Sequence, residues 1–144
     1  MKNAASTEEF AELLRTVGLR VTQPRLAVLA ELATHPHSTP EMVRRGVSKR
    51  LGSVSTQAIY DVLHALTKKE LLHVISPTGS LHRYEIAHND NHHHLVCRSC
   101  GAILDIPCAV GNAPCLEPSE THGYQVDEAE VIFWGHCPDC QEQS

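Results

Sequence analysis

Cys97-Arg98-Ser99-Cys100 and Cys137-Pro138-Asp139-Cys140 restrict the folds open to this chain more than anything else in it. Two thiolates three residues apart grip one tetrahedral ion, and a second such pair completes a closed four-thiolate shell. The 36 residues between Cys100 and Cys137 exceed what a compact zinc ribbon holds, so the second pair must return from a far strand to meet the first. Gly101 and Pro138 suit the tight knuckle turns of such sites. A structural Zn2+ is the expected occupant; a redox dithiol and an iron–sulfur cluster are the alternatives. With all four positions taken by sulfur, the ion would serve folding and not catalysis.

A chain of 144 residues is one domain, or two small ones that need help to stay folded. No stretch offers the roughly 20 apolar residues of a membrane helix, and Met1-Lys2-Asn3-Ala4-Ala5 lacks a secretory apolar core. A soluble, cytoplasmic protein with no membrane partner is expected. In that reducing compartment six cysteines read as metal ligands or redox thiols before disulfides. The net charge of −5 hides an asymmetry: residues 1–84 carry 11 Lys+Arg against 7 Asp+Glu, and residues 85–144 carry 1 against 10. A basic half joined to an acidic, Cys/His-bearing half fits a nucleic-acid-binding module attached to a cation-binding module. Two solvated surfaces that merely differ are the alternative.

Four helices are expected before residue 70. Phe10, Leu13, Leu14 and Val17 recur at helical spacing and stop at Gly18. Thr22 caps a second helix with Pro24 in its first turn, carrying Leu26, Val28, Leu29 and Leu32 to His35-Pro36-His37. Ser38 or Thr39 starts a third through Met42, Val43 and Val47. Ser55 caps a fourth with Ile59, Val62, Leu63 and Leu66 on one stripe. These stripes read as packing core. Leu72–Ile75 and His82–Ile86, joined by turn residues, read as a hairpin. Helices followed by a hairpin give a winged helix-turn-helix, whose last helix enters the DNA major groove. The polar residues 87–91 form a hinge. Beyond it, His94–Cys97, Ala102–Ile106 and Glu130–Trp134 read as strands, and 108–123 as a possible helix.

His92-His93-His94 stands just before the first CxxC pair. On a strand His92 and His94 share a face and His93 points away. Two imidazoles are half a site for a borderline metal. Glu85, Asp105 and His37, the last at a helix–helix turn, are available to complete it. Three His and two carboxylates accept Fe2+ or Mn2+ and also take Zn2+. On spacing alone, surface histidines without a metal and a solvated Glu85 are readings of similar standing.

Three strings resemble the ferric uptake regulator family: Gly18-Leu19-Arg20-Val21-Thr22-Gln23-Pro24-Arg25, His92-His93-His94-Leu95-Val96-Cys97-Arg98-Ser99-Cys100-Gly101 and Gly135-His136-Cys137-Pro138-Asp139-Cys140. The resemblance covers roughly residues 10–140, with the motifs in order. It implies an α+β homodimer: a winged helix-turn-helix DNA-binding domain over 1–86, a hinge over 87–91, and a small α/β dimerisation domain with a four-cysteine zinc site over 92–144. It implies structural zinc on Cys97, Cys100, Cys137 and Cys140, and a regulatory site of His37, Glu85, His92, His94 and Asp105. It places Ser55, Thr56, Gln57 and Tyr60 against double-stranded, palindromic operator DNA, with Arg20, and less directly Arg15, on the backbone.

The family includes peroxide sensors, in which an Asp stands where iron sensors usually have Glu and a ligand histidine is oxidised with Fe2+. Asp105 matches that branch. Cys108 and Cys115 resemble extra cysteines of actinobacterial-type regulators of catalase-peroxidase genes; they read equally as buried small apolar residues. A further metal site found in some members uses a His-x-Asp pair and a His before the last strand, where this chain has Asn91-x-His93 and Ala129; the resemblance implies that this site is lost, or rebuilt with His93 or His122. Asp61 replaces a basic residue common after the recognition-helix Tyr.

The expected function is therefore a metal-dependent repressor, not an enzyme, that reads peroxide through Fe2+ or Mn2+ and controls catalase-type genes. The alternative is an iron- or zinc-supply sensor of the same fold. A zinc hydrolase or deaminase has neither HExxH nor HxE…PCxxC to rest on.

Overall fold

Short polar caps start every helix of the N-terminal part. The computed structural model describes residues 6–76, 81–87, 92–107, 119–126 and 131–141, with backbone alone for His92 and Pro107. Ser6, Thr22, Thr39 and Ser55 precede α1 (Thr7–Thr16), α2 (Gln23–Thr34), α3 (Pro40–Leu51) and α4 (Thr56–Lys68). Each side-chain oxygen accepts a backbone N–H three residues on, between 3.1 and 3.3 Å. Such a cap satisfies an otherwise orphaned donor and contributes about 1 kcal/mol. Gly52 closes α3 at a φ of 89°, where a side chain would be strained.

The chain divides into two compact units, Met1–Ala87 and His88–Ser144. In the first, Phe10, Leu14, Leu29, Leu32, Val43, Val47, Ile59, Leu63 and Leu66 form one core. Each buried side chain of this size stabilises by roughly 1.5–3 kcal/mol. Three expected core residues lie outside it: Val17 is the half-buried C-cap of α1, and Leu13 is 39 % and Met42 46 % exposed. Leu13 and Met42 are each one helical step off the buried face, which Phe10, Ala11 and Leu14 occupy in α1 and Val43, Gly46 and Val47 in α3.

β1 (Leu72–Ile75) and β2 (Arg83–Ile86) pair antiparallel, with Leu72 opposite Ile86 and His73 opposite Glu85. The expected second strand began one residue earlier, at His82. The turn between α2 and α3 joins this ladder: Ser38 bridges Tyr84, His37 N–H donates to Tyr84 O at 2.9 Å, and Tyr84 N–H donates to Ser38 O at 2.9 Å. Helices α2 to α4 with this hairpin make a winged helix-turn-helix.

In the second unit β4 (Ile103–Pro107), β3 (His92–Cys97) and β5 (Ile132–Gly135) form a sheet in that order, β3–β4 antiparallel and β3–β5 parallel. β3 starts two residues before the expected His94, which puts the whole histidine run on a strand. β4 and β5 begin later than expected, at Ile103 and Ile132. Pro138 opens a single helical turn, α5 (Pro138–Gln141), where a knuckle turn was expected; a proline at a first helical position loses no hydrogen bond. Of the expected helix 108–123, residues 108–118 lie outside the described residues. Residues 121–124 form a turn instead, closed by Tyr124 N–H to Thr121 O at 2.9 Å around His122 and Gly123, both at positive φ. No helix among the described residues is long and apolar enough to cross a membrane.

Candidate metal centres and nucleic-acid face

Strand register solves the distance problem that separates the two CxxC pairs. β5 runs parallel to β3 with Cys97 opposite Gly135, so the chain leaving β5 delivers Cys137 beside Cys97. Arg98 reinforces the junction: its N–H donates to Gly135 O at 2.7 Å, and its guanidinium lies 5.2 Å from the Trp134 ring centroid. The sulfurs of Cys97, Cys100, Cys137 and Cys140 all lie within 4.8 Å of one another. Cys100 Sγ and Cys137 Sγ are 3.7 Å apart. Zn–S bonds of about 2.3 Å in a tetrahedron require sulfurs about 3.8 Å apart, whereas a disulfide needs about 2.05 Å. The four cysteines are free thiols, and their spacing fits zinc.

The thiols are not equivalent. Backbone N–H groups of Cys100 and Cys137, at 3.5 and 3.4 Å from Cys97 Sγ, hold the Cys97 thiol down to about 5. Hydrogen bonding to Cys137 and Cys97, with burial, pushes Cys140 up to about 12. The Cys97 thiolate is thus favoured before any ion arrives, and Cys140 keeps a proton that an ion must displace.

Each unit holds one His–carboxylate pair. In the first unit His37 Nε2 lies 3.2 Å from Glu85 Oε2. His37 reaches it from a left-handed conformation, φ 64°, fixed by its bond to Tyr84 and by Arg83, whose guanidinium donates to His37 O at 3.1 Å. Glu85 is 3 % exposed, and a carboxylate so buried persists only with partners. Its second oxygen, Oε1, lies 3.2 Å from His73 Nδ1. His73 was not among the expected residues, although a hairpin centred on residue 79 sets 73 opposite 85. In the second unit the His94 Nε2 lies 3.2 Å from Asp105 Oδ1, which its register partner on β4 supplies. Imidazole and carboxylate donors suit Fe2+, Mn2+ or Zn2+.

Other expected residues fall elsewhere. The His92 side chain, Cys108, Cys115, Asn91 and Ala129 lie outside the described residues, as does most of the 87–91 segment. His93 is buried opposite Ile106 on the face away from His94. His122 pairs with Glu120 at 3.3 Å on the surface. Neither His93 nor His122 joins a metal-competent group among the described residues.

The outward face of α4 carries Ser55 at its cap, Thr56, Gln57, Tyr60, Asp61 and His64, all exposed. Asp61 accepts a hydrogen bond from Gln57 Nε2 at 2.8 Å. Arg20 is exposed, and its carbonyl accepts from the Arg25 guanidinium at 2.7 Å. Arg15 is engaged by Glu8 and Glu12 at 3.1 and 3.3 Å.

Residues 16–134 match the sequence profile described as the ferric uptake regulator family. The chain is 56 % identical over 136 residues to the transcriptional regulator FurA of Mycobacterium tuberculosis, covering 94 % of this chain and 92 % of that one. It is 26 % identical over 142 residues to the peroxide-responsive repressor PerR of Staphylococcus epidermidis, covering 94 % and 91 %. Its fold is that of the Helicobacter pylori ferric uptake regulator Fur, whose structure reveals three functional metal binding sites: TM-score 0.74, 23 % identity, 98 % of this chain and 97 % of that one. The winged helix, the four-cysteine cluster and these likenesses agree, and the chain belongs to the ferric uptake regulator family of metal-responsive transcriptional regulators.

Proposed function

We propose that the protein is a homodimeric repressor that binds palindromic operator DNA through residues 1–86, hinges over 87–91 and dimerises through 92–144. Zn2+ on Cys97, Cys100, Cys137 and Cys140 holds the second unit together. The regulatory ion is Fe2+ or Mn2+, with Zn2+ able to take the same donors, and its ligands are His37, Glu85, His92, His94 and Asp105. The observation that carries this reading is that each unit supplies its own His–carboxylate pair, both at 3.2 Å. An ion bound to both pairs ties the DNA-binding unit to the dimer unit and fixes the two recognition helices at half-site spacing. A coupling of about 1.4 kcal/mol changes operator affinity about 10-fold.

Ser55, Thr56, Gln57 and Tyr60 face the major groove in this reading, and Arg20 and Arg15 contact the backbone. Lys and Arg of the first unit supply the salt-dependent phosphate term. A second copy of the chain is supported by an apolar row across the sheet: Leu104, Leu95 and Phe133 are register partners and are 64, 41 and 48 % exposed.

The signal in this reading is peroxide, and the genes controlled are oxidative-stress genes of the catalase type. Asp105 supports it: an Asp stands where the resemblance sets peroxide sensors apart from iron sensors, and its side chain is 45 % exposed beside a His94 that is 2 % exposed. Fe2+ held by His37, Glu85, His92, His94 and Asp105 would supply peroxide activation at the ligand imidazoles. A histidine that gained one oxygen, the other leaving as water, would be a poor ligand, and the operator would be released irreversibly. The family's ferric-uptake description favours a second reading, a sensor of iron or zinc supply controlling metal uptake. Mass spectrometry of the Fe2+-loaded protein after peroxide decides between them. One added oxygen on a peptide with His37 or His92–His94 supports peroxide sensing. Change confined to Cys108 and Cys115 indicates a thiol switch, and no oxidation leaves metal supply as the signal.

A further inference from the structure

The two oxygens of Glu85 are divided between two imidazoles. Oε2 lies 3.2 Å from His37 Nε2, and Oε1 lies 3.2 Å from His73 Nδ1. His73 holds its place by register: it stands directly opposite Glu85 across the β1–β2 pair, where opposed side chains share a face. Where Glu85 is ionised it only accepts, and an imidazole nitrogen bonded to it is then the donor. The two bonds have different fates when Glu85 and His37 become ligands. His37 must give up its Nε2 hydrogen to expose a lone pair, and its bond to Glu85 goes with it. The His73 bond is on the other oxygen and survives.

We infer that His73 is a positioning residue for the regulatory metal: by holding Oε1 it keeps Oε2 of the buried Glu85 aimed as a ligand. The inference rests on the reading of His37 and Glu85 as ligands. Without the Oε1 bond the carboxylate would lose a hold on its orientation at a site where Glu85 is 3 % exposed. Partners of this kind, which orient ligands without touching the ion, are typically worth about 10- to 100-fold in metal affinity.

The test uses the full-length, zinc-loaded protein titrated with Mn2+, comparing wild type with His73→Ala, His73→Asn and His37→Ala. His73→Ala is expected to weaken Mn2+ binding about 10- to 100-fold with zinc content unchanged. His73→Asn, which keeps an N–H donor near the Nδ1 position, is expected to recover most of that loss. Co2+ absorption bands of His73→Ala are expected at wild-type positions, because no ligand is removed. Mn2+ affinity within twofold of wild type in His73→Ala overturns the inference, as does failure of His73→Asn to rescue. A Co2+ spectrum that loses a nitrogen ligand overturns it in favour of direct ligation. If His37→Ala binds Mn2+ as wild type does, the ligand reading itself fails and the inference falls with it.

Discussion

The buried Glu31 carboxylate on α2 fills the space that a side chain on Gly46 of α3 would need. Arg50 Nε at 3.2 Å and His35 Nδ1 at 3.0 Å hold it there. Gly46 is therefore a packing requirement of the helix-turn-helix and not a flexible point. Gly46→Ala is expected to destabilise the first unit by about 1–3 kcal/mol, because Glu31 must leave its partners to make room. Combining it with Glu31→Ala should recover part of the loss, a non-additivity that thermal unfolding of the four proteins of the cycle measures.

The zinc cluster should show its inequivalent thiols during metal uptake. At pH 7 the metal-free protein holds Cys97 as thiolate and Cys140 as thiol, since they are set near 5 and 12. Zinc binding is then expected to release fewer than four protons, read as the buffer dependence of the calorimetric heat; release of four would contradict the assignment. The sign for stability follows from the lowered Cys97 value. Its contribution is full above the ordinary thiol value of 9.0 and is lost as pH falls through about 5, so metal-free unit 2 should weaken on acidification across that window.

Asp61 places a negative charge on the proposed DNA face while holding Gln57. Asp61→Asn removes the charge and keeps a hydrogen-bonding side chain. Operator binding is expected to tighten by about 2- to 5-fold at low salt, the effect of roughly 1 kcal/mol between charges near water, and the gain should shrink as salt rises. Fluorescence anisotropy at several salt concentrations checks it. Equal affinity at all salts would remove Asp61 from the interface.

The apolar row Leu104, Leu95 and Phe133 is proposed to lie between two copies. Leu95→Asp, at its centre, is expected to convert the dimer to monomer at micromolar concentration without loss of zinc, as light scattering and metal analysis would show. A dimer that persists would move the interface elsewhere.

Much of this was legible in the chain because short-range chemistry fixes it. Thr22, Thr39 and Ser55 each stand before a stretch of helical period, and all three cap. The CxxC pairs declared a four-sulfur cluster, but only the parallel β3–β5 register explains how Cys137 reaches Cys97. His73 escaped notice because its meaning lies in a cross-strand partner, and an isolated His on a half-buried strand has no pattern of its own. Leu13 and Met42 misled because helical spacing gives a stripe but not its edges. The left-handed backbone of His37 is set by its bond to Tyr84, distant in sequence, and no local pattern announces it.

Operator affinity measured with and without Mn2+, for wild type and His37→Ala, reads the coupling between the regulatory ion and DNA binding. Coupling of the two units through the regulatory ion predicts that Mn2+ tightens wild-type binding about 10-fold or more and leaves His37→Ala unchanged. Equal affinity of the zinc-loaded wild type in the presence and absence of Mn2+, or an undiminished Mn2+ response in His37→Ala, would contradict it.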